Sequence, residues 1–326
     1  MKVSDGSLLA VADYPSVDPN NINGTKIGNL GSKAFTDLYE PGSTFKSITA
    51  ASLLDAGVVT PTSQATVTST RGFSWGGSIS DAERHAAERL TLAGVIQNSS
   101  NVGMTYFGEK LTVQQRYEYM LKFGLGAQSA VRFPGEPSAP LRPSAKWGKR
   151  TSYDSMFGQG VSVTAIQMAS AYQTIANHGV RMPVTLVSRW AAADGTIRQL
   201  PSRAGVRVIS ASAAGQTVAM LQNVVTSGTL DGMVPITGYD IAAKTGTAQV
   251  ADKIGGGYGD NFITSVGGMF PAANPQYVVF VTFTKPTVNK SSAAVAPAFR
   301  ALTTDVIKKF EIPPATSTEP RYPATW

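Results

Sequence analysis

The sequence contains no cysteine. That excludes disulfides and thiolate metal sites, and it fits any redox compartment. Histidine is almost as scarce, with only His85 and His178 present. A zinc site built on imidazoles would be hard to assemble from two residues, and no metal is expected. Nothing approaches the roughly 18 consecutive apolar residues that a membrane-crossing helix needs. The opening MKVSDGSLLAVADYPS lacks the charged, apolar and small-residue regions of a signal peptide. There is also no dense run of Lys or Arg, so nucleic acid is not expected as a partner.

What is present is ordinary globular material. The 326 residues are 42% hydrophobic and 15% charged, enough apolar mass for a core in one large domain or two smaller ones. Lys and Arg number 28 against 21 Asp and Glu, a formal charge of +7. The plain reading of that excess is solubility. The sharper one is attraction to a polyanionic surface such as a membrane face or a wall polymer.

Along the chain, SLLAVAD (7–13) reads as a short buried strand, and 14–31, rich in Pro, Asn and Gly, as loop. In EPGSTFKSITAASLLDAGVV, Pro41 and Gly42 break the chain and Ser43 or Thr44 can cap a helix. Ile48, Ala51, Leu53 and Leu54 then recur at helical spacing until Gly57 stops the run. Residues 60–83 look irregular. LTLAGVIQNSSNVGMTYFGEKL reads as two helices broken at Asn98–Asn101, with a further helix at 112–123 and Pro- and Gly-rich loop at 124–156. TAIQMASAYQTIANHG is a helix with Thr164 at its cap and Gly179 at its end, and another covers 212–228. YDIAAKTGTAQV, FITSVGGMFP and YVVFVTFTKP then read as antiparallel strands. A closing helix spans 293–310, and EIPPATSTEPRYPATW reads as a loosely held tail. No internal repeat is visible. Strands at both ends and helices between them suggest one sheet assembled from both termini.

Three short segments carry potential chemistry. The first is Ser43-Thr44-Phe45-Lys46. On a helix, positions i and i+3 share a face, so the amine can reach the hydroxyl. A serine is a weak nucleophile until a base takes its proton. A lysine can be that base once burial or a second cation depresses its pKa. The helix start also offers unpaired N–H groups to a developing oxyanion. Alone, S-x-x-K is more often a capping Ser beside a solvated Lys. The second is Ser99-Ser100-Asn101, in the predicted break between helices, where a helix cap is the bland alternative. The third is Lys244-Thr245-Gly246-Thr247 on a predicted strand. Gly inside a strand wants a reason, and close approach of a ligand backbone is one. An ordinary edge strand is the alternative. The order S-x-x-K, S-x-N, K-T-G, each in its expected context, is the set that marks serine β-lactamases and penicillin-binding proteins.

On these residues the chain resembles the transpeptidase domain of class B penicillin-binding proteins over nearly all its length. LLAVADYPSVDPNN resembles the family's opening strand and loop, LYEPGSTFK its nucleophile segment, FGQGVSVTAIQMASAYQTIANHGV its long helix, and KTGTAQ its third motif. The Gly-rich loop 252–260 departs from the pattern. The resemblance implies an α+β penicillin-binding/β-lactamase-like fold, its antiparallel sheet built from N- and C-terminal strands and flanked by helices. A sheet subdomain would take 1–40 and 236–310, a mainly helical one 41–235, and the tail 311–326.

The resemblance also implies roles. Ser43 would attack the penultimate D-Ala carbonyl of a peptidoglycan stem peptide. Lys46 would accept its proton, and Lys244 would help hold Lys46 neutral. Ser99 would pass a proton to the leaving amine, and Asn101 would hold the donor amide. Thr245 and Thr247 would bind the terminal carboxylate, with Gly246 allowing close approach. The N–H groups of Ser43 and Thr247 would form the oxyanion hole. No cofactor is needed. β-Lactams would inhibit by acylation, and a polytopic membrane glycosyltransferase would be a partner contacting mostly outside this domain. The implied location is the outer face of the bacterial membrane, held by an N-terminal anchor that does not lie in this chain, with a role in cell-wall synthesis at division.

Rivals are a D,D-carboxypeptidase, a non-catalytic β-lactam sensor or scaffold, and a β-lactamase. A class A β-lactamase deacylates through a Glu-activated water, in the family an E-x-x-x-N pattern between motifs two and three. Neither Glu109, Glu118 nor Glu136 has Asn four residues on, and Glu136 reads as structural. Gly72-Phe73-Ser74-Trp75-Gly76 matches G-x-S-x-G, which requires a strand before and a helix after. The flanking TSTR and GSIS fit neither. Its triad would have to use His85 or His178, expected on an exposed helix face and in a helix-ending turn.

Overall fold

The computed structural model describes residues 1–138, 140–199, 204–251, 258–315 and 321–326. Along the chain come α1 (Lys33–Thr36), α2 (Lys46–Asp55), β1 (Gln64–Val67), β2 (Thr70–Gly72), β3 (Ser78–Ser80) and β4 (Glu88–Thr91). Next are α3 (Leu92–Gln97), α4 (Asn101–Gly108), α5 (Val113–Lys122), α6 (Lys149–Asp154) and α7 (Ala165–Ala176). After these come β5 (Val180–Arg181), β6 (Arg189–Ala191), β7 (Ile197–Gln199), β8 (Val206–Arg207) and α8 (Ala211–Thr226). Strands β9 (Ala242–Ala251), β10 (Tyr258–Phe270) and β11 (Tyr277–Thr284) precede the closing helix α9 (Ala296–Lys309).

The sheet runs in the order β11-β10-β9, antiparallel throughout, so β9 is an edge. The N-terminus extends the other edge: Lys2 bridges Tyr277, and Val3 N–H donates to Gln276 O at 2.9 Å. The N-terminus thus reaches the sheet at residues 1–3, and not through the expected strand at 7–13. Helix α8 packs on β9, and α7 on β11. α7 begins with a capping box between Thr164 and Gln167, which satisfies two otherwise orphaned donors. Its buried Gln173 amide ties the helix to Val3 O at 2.6 Å. α2 packs on α8 and also meets α4 and α5, and it is buried from Lys46 to Leu54. A helix that buries every face belongs at the centre of a domain.

Several elements depart from expectation. SLLAVAD is not a strand. Ser7 makes one bridge to Thr185, and Leu8 and Val11 rest on a satellite cluster of Phe35, Ile166 and Val184 instead of the sheet. The region 60–83 is not irregular: β1 pairs with β4, and β2 with β3. Its Thr-rich strands bury Val67 and Ile79 between exposed polar residues. The G-x-S-x-G match straddles the β2–β3 hairpin, so a strand comes after the turn where a nucleophile elbow needs a helix. Ser43 caps nothing: a 3-10 turn, Gly42–Phe45, runs directly into α2. The tail is held at its end. Thr91 N–H donates to Ala324 O at 3.0 Å, Asn223 to Tyr322 O at 2.8 Å, and Arg89 stacks on Trp326 at 3.8 Å. Of the Gly-rich loop 252–260, residues 252–257 lie outside the described residues, as do 316–320 of the tail.

Candidate active site

Ser43 sits half-buried on the first turn of the nucleophile helix. Three glycines make that position. Gly42 has φ +55°, and a Cβ there would stand 2.9 Å from Thr247 O. Gly158, at φ +82°, lies against the Gly42 carbonyl. A Cβ on Gly246 would meet Ser265 Oγ at 2.5 Å, Pro41 O at 2.8 Å and Thr44 Cγ2 at 2.9 Å. Gly246 thus lets β9 close on the protein's own nucleophile turn, which corrects the reading that it makes room for a ligand backbone. Thr44 Oγ1 donates to Pro41 O at 2.8 Å, and the buried Tyr172 hydroxyl donates to Thr44 O at 3.0 Å.

One helical turn on, Lys46 Nζ lies 3.0 Å from Ser43 Oγ. The amine is fully buried, and it also meets the carbonyl of Ser99 and, at 3.4 Å, the Ser99 hydroxyl. Burial depresses its pKa to about 7, opposed by the charge of Asp81. Near neutral pH a large share of the amine therefore carries a free lone pair within reach of the Ser43 proton.

Lys244 arrives from β9, also fully buried, with Nζ 2.8 Å from Ser99 Oγ and 3.2 Å from Thr245 Oγ1. Its pKa lies well below the ordinary lysine value, first through burial and then through repulsion by Lys46. Burial, more than Lys244, neutralises Lys46. Strand alternation puts Lys244 and Gly246 on one face, and Thr245 and Thr247 on the other. Both threonines line the cleft, Thr245 buried and bonded to Thr229 Oγ1 at 3.0 Å, Thr247 exposed.

The second motif turns between α3 and α4. Ser99 adopts φ +59°, a left-handed conformation rare for serine. Ser100 caps α4, accepting from Gly103 N–H at 2.7 Å. The turn hangs on a residue the sequence did not single out. The Asp81 carboxylate accepts from Ser100 Oγ at 2.7 Å, from Val102 N–H at 2.9 Å and from Asn101 N–H. Asn101 Nδ2 donates to Ser80 O at 3.1 Å. The same carboxylate meets His85 Nε2 at 3.1 Å. His85 is therefore not on a helix face but in the irregular segment before β4, lining the cleft. His178 does lie in the turn that ends α7, at φ +51°.

These elements enclose a cleft of about 500 Å³. Ser43, Ser99, Asn101, Thr245 and Thr247 all line it, together with residues from Asp81 to His85 and Glu88. Its acids, Asp81, Glu83 and Glu88, all precede motif two. Glu136 is spent in its own loop, accepting from Ser129 N–H at 2.7 Å and Ser129 Oγ at 2.9 Å. Among the described residues no group of His, Asp and Glu could hold a metal ion, and no helix is long and apolar enough to cross a membrane.

A serine with a buried amine at hydrogen-bond distance, a second serine between two lysines, and a strand edge bearing two threonines define a serine acyl-enzyme site. The penicillin-binding protein transpeptidase domain model matches residues 1–304. The chain belongs to this family, in its class B branch. It is 32% identical to penicillin-binding protein PbpB of Mycolicibacterium smegmatis over 94% of this chain and 49% of that protein. It is also 32% identical to the peptidoglycan D,D-transpeptidase FtsI of Escherichia coli K12, over 96% and 51%. The chain thus spans about half the length of these curated relatives. Among solved structures, penicillin-binding protein 3 of Mycobacterium tuberculosis with ampicillin superposes with a TM-score of 0.90 at 29% identity, over 100% of this chain and 74% of that one. A peptidoglycan synthetase of Bifidobacterium adolescentis gives 0.89 at 30%, over 100% and 58%.

Proposed function

We propose that this domain is a peptidoglycan D,D-transpeptidase acting in cell-wall synthesis at division. The observation that carries the reading is Lys46 Nζ, fully buried, pKa about 7, 3.0 Å from Ser43 Oγ. Ser43 Oγ bonds to the penultimate D-Ala carbonyl carbon of a stem peptide while its proton passes to Lys46. The Ser99 hydroxyl, 3.4 Å from Lys46 and 2.8 Å from Lys244, relays a proton to the amine as the bond to terminal D-Ala breaks. An amine of a second stem peptide then attacks the ester, forming the cross-link and returning the proton to Ser43. Asn101 holds the donor amide, and Thr245 and Thr247 take its terminal carboxylate. The Thr247 carbonyl faces Gly42, off the sheet edge. A strand residue turns N–H and C=O the same way, so its N–H points off that edge with Ser43 N–H as the second oxyanion donor.

A β-lactam carries the same carboxylate and a reactive carbonyl, and ampicillin is bound in the Mycobacterium tuberculosis relative. With no E-x-x-x-N pattern between motifs two and three to supply the Glu-activated water of a class A β-lactamase, the penicilloyl ester should persist. A membrane anchor would hold the domain at the outer membrane face. The test is mass spectrometry after penicillin treatment: one stable adduct on Ser43, absent in Ser43→Ala. Rapid drug turnover would point to a β-lactamase. With a stem-peptide analogue and a D-amino acid, transfer is expected, and hydrolysis alone would make the protein a carboxypeptidase.

A further inference from the structure

Asp81 and His85 bear on the cleft, yet the acyl-transfer reaction does not use them. His85 stands between two groups that only accept hydrogen bonds: Nδ1 lies 2.7 Å from Ala86 O, and Nε2 3.1 Å from the Asp81 carboxylate. A neutral imidazole has one donor and one acceptor nitrogen, so it can satisfy only one of them. Both bonds together require the imidazolium. The Glu88 carboxylate, 4.0 Å from Nδ1, adds to the field that favours it. The same Asp81 oxygen that meets His85 also accepts from Ser100 Oγ, while the other oxygen takes the N–H groups of Asn101 and Val102.

We propose that His85 is a positioning residue, held as an imidazolium against Asp81, that fixes the carboxylate on which the Ser99–Asn101 turn hangs and so makes acylation sensitive to pH. This rests on the transpeptidase reading, because Ser99 and Asn101 matter only if that turn serves Ser43. The groups around His85 are Asp81 on its own segment and Glu88 on β4, with Glu83 and Arg84 between them along the cleft wall. α4 brings only the neutral Ser100 and Asn101. α2 and β9 contribute Lys46 and Lys244, whose amines reach Ser99 of the same turn. The hydrogen bonds to Ala86 and Asp81 and the charges of Glu88 and Asp81 raise the imidazole pKa above its ordinary value against a desolvation penalty. The ion pair is therefore complete below about pH 6.5 and is lost as pH rises through the raised value. Lys46 runs the other way, gaining its lone pair as pH rises through about 7.

Two measurements separate these. The chain has only two His, so an imidazole NMR titration resolves both, and His178→Asn assigns them while leaving acylation unchanged. His85 is expected to titrate above 6.5. The second measurement is the second-order rate of acylation by a fluorescent penicillin from pH 5.5 to 9, in wild type and His85→Ala. The ratio of the two rates cancels the Lys46 titration. For a partly solvated pair the ratio should be about two- to fivefold on the acid side. It should fall towards one with a midpoint matching the NMR value. His85→Gln, which keeps one N–H donor without titrating, should restore part of the rate with no such midpoint. A ratio independent of pH, or a His85 pKa at or below 6.5, overturns the proposal. Failure of wild type to acylate at all would instead overturn the transpeptidase reading, and the NMR titration would still judge the ion pair.

Discussion

Ser43 stands on a turn pressed against β9 through two glycines, Gly42 and Gly246, whereas Ser99 and Asn101 hang from one carboxylate, that of Asp81. The first wall is a packing joint. Its partners are backbone carbonyls, a buried helix and Tyr172, and its base, Lys46, is tuned mainly by burial. The second wall is a polar joint, with a strained Ser99, a carboxylate and an imidazole at the solvent edge. The difference separates two kinds of vulnerability. The nucleophile wall should fail when a side chain grows, the motif-two wall when a charge changes. Both kinds of failure reach the same serine–lysine pair, because Lys46 touches Ser43 and Ser99 together.

The largest effect should come from the residue that joins the walls. Lys46→Ala removes the proton acceptor, and loss of a general base typically costs 10²–10⁴ in rate. Acylation by a fluorescent penicillin should fall by about 10³, with the protein still folded by circular dichroism. Retention within about tenfold would mean that another group activates Ser43. Gly246→Ala comes next and probes the packing joint alone. The new methyl would meet Ser265, Pro41 and Thr44 at 2.5–2.9 Å, and overpacking of this kind costs about 1–3 kcal/mol. Denaturant unfolding should report that loss. Acylation should drop by about a hundredfold, because a shift near 1 Å at the reacting atom has that consequence. Its pH midpoint should stay at the Lys46 value, since no charge has changed. A moved midpoint would mean that the two walls are not separable in this way.

How much of the site is legible in the sequence depends on whether the signal is local. Ser43 and Lys46 are one helical turn apart, Ser99 and Asn101 share one turn, and Lys244 to Thr247 are consecutive, so each motif carries its own pattern. Their meeting is tertiary, and only the order of the three hints at it. Asp81 leaves no such trace: it acts on Asn101 from 20 residues away, and an Asp after a short Ser-rich strand looks like any turn residue. His85 misleads for the same reason, since the charges around it suggest a helix where the chain is irregular and held against Asp81. Gly246 stands out within its strand, but sequence cannot say which backbone approaches it. SLLAVAD shows the limit of short apolar runs, which look alike whether they join a sheet or a satellite cluster. The tail's composition speaks for looseness, but Thr91, Asn223 and Arg89 hold its end through backbone acceptors and the face of Trp326.

Asp81→Asn, with a smaller expected effect than Lys46→Ala or Gly246→Ala, sharpens the comparison most, because it changes charge with almost no change in shape. In Asp81→Asn the oxygen facing Asn101 and Val102 can remain an acceptor, so those two N–H bonds survive. The other oxygen becomes an NH₂ group facing Ser100 Oγ and His85 Nε2. Ser100 can turn its hydroxyl to accept, but an imidazolium N–H cannot, so the ion pair is lost and His85 Nε2 can accept from the new NH₂ group only as the neutral imidazole, with its proton on Nδ1 facing Ala86 O. Losing hydrogen bonds to a buried charged group costs about 1.5–3 kcal/mol. Acylation at its optimum should fall by about tenfold, corresponding to about 1.4 kcal/mol of lost positioning. The sign of the pH effect is the discriminating part. Asp81 supports the charged form of Lys46, so removing its charge lets burial depress the amine further. The rise of acylation with pH should then move below the wild-type midpoint of about 7. A midpoint that stays put would leave Asp81 as scaffolding alone. A midpoint that moves up would mean that burial of Lys46 had been relieved, and that the motif-two turn, and not its charge, keeps water from the amine.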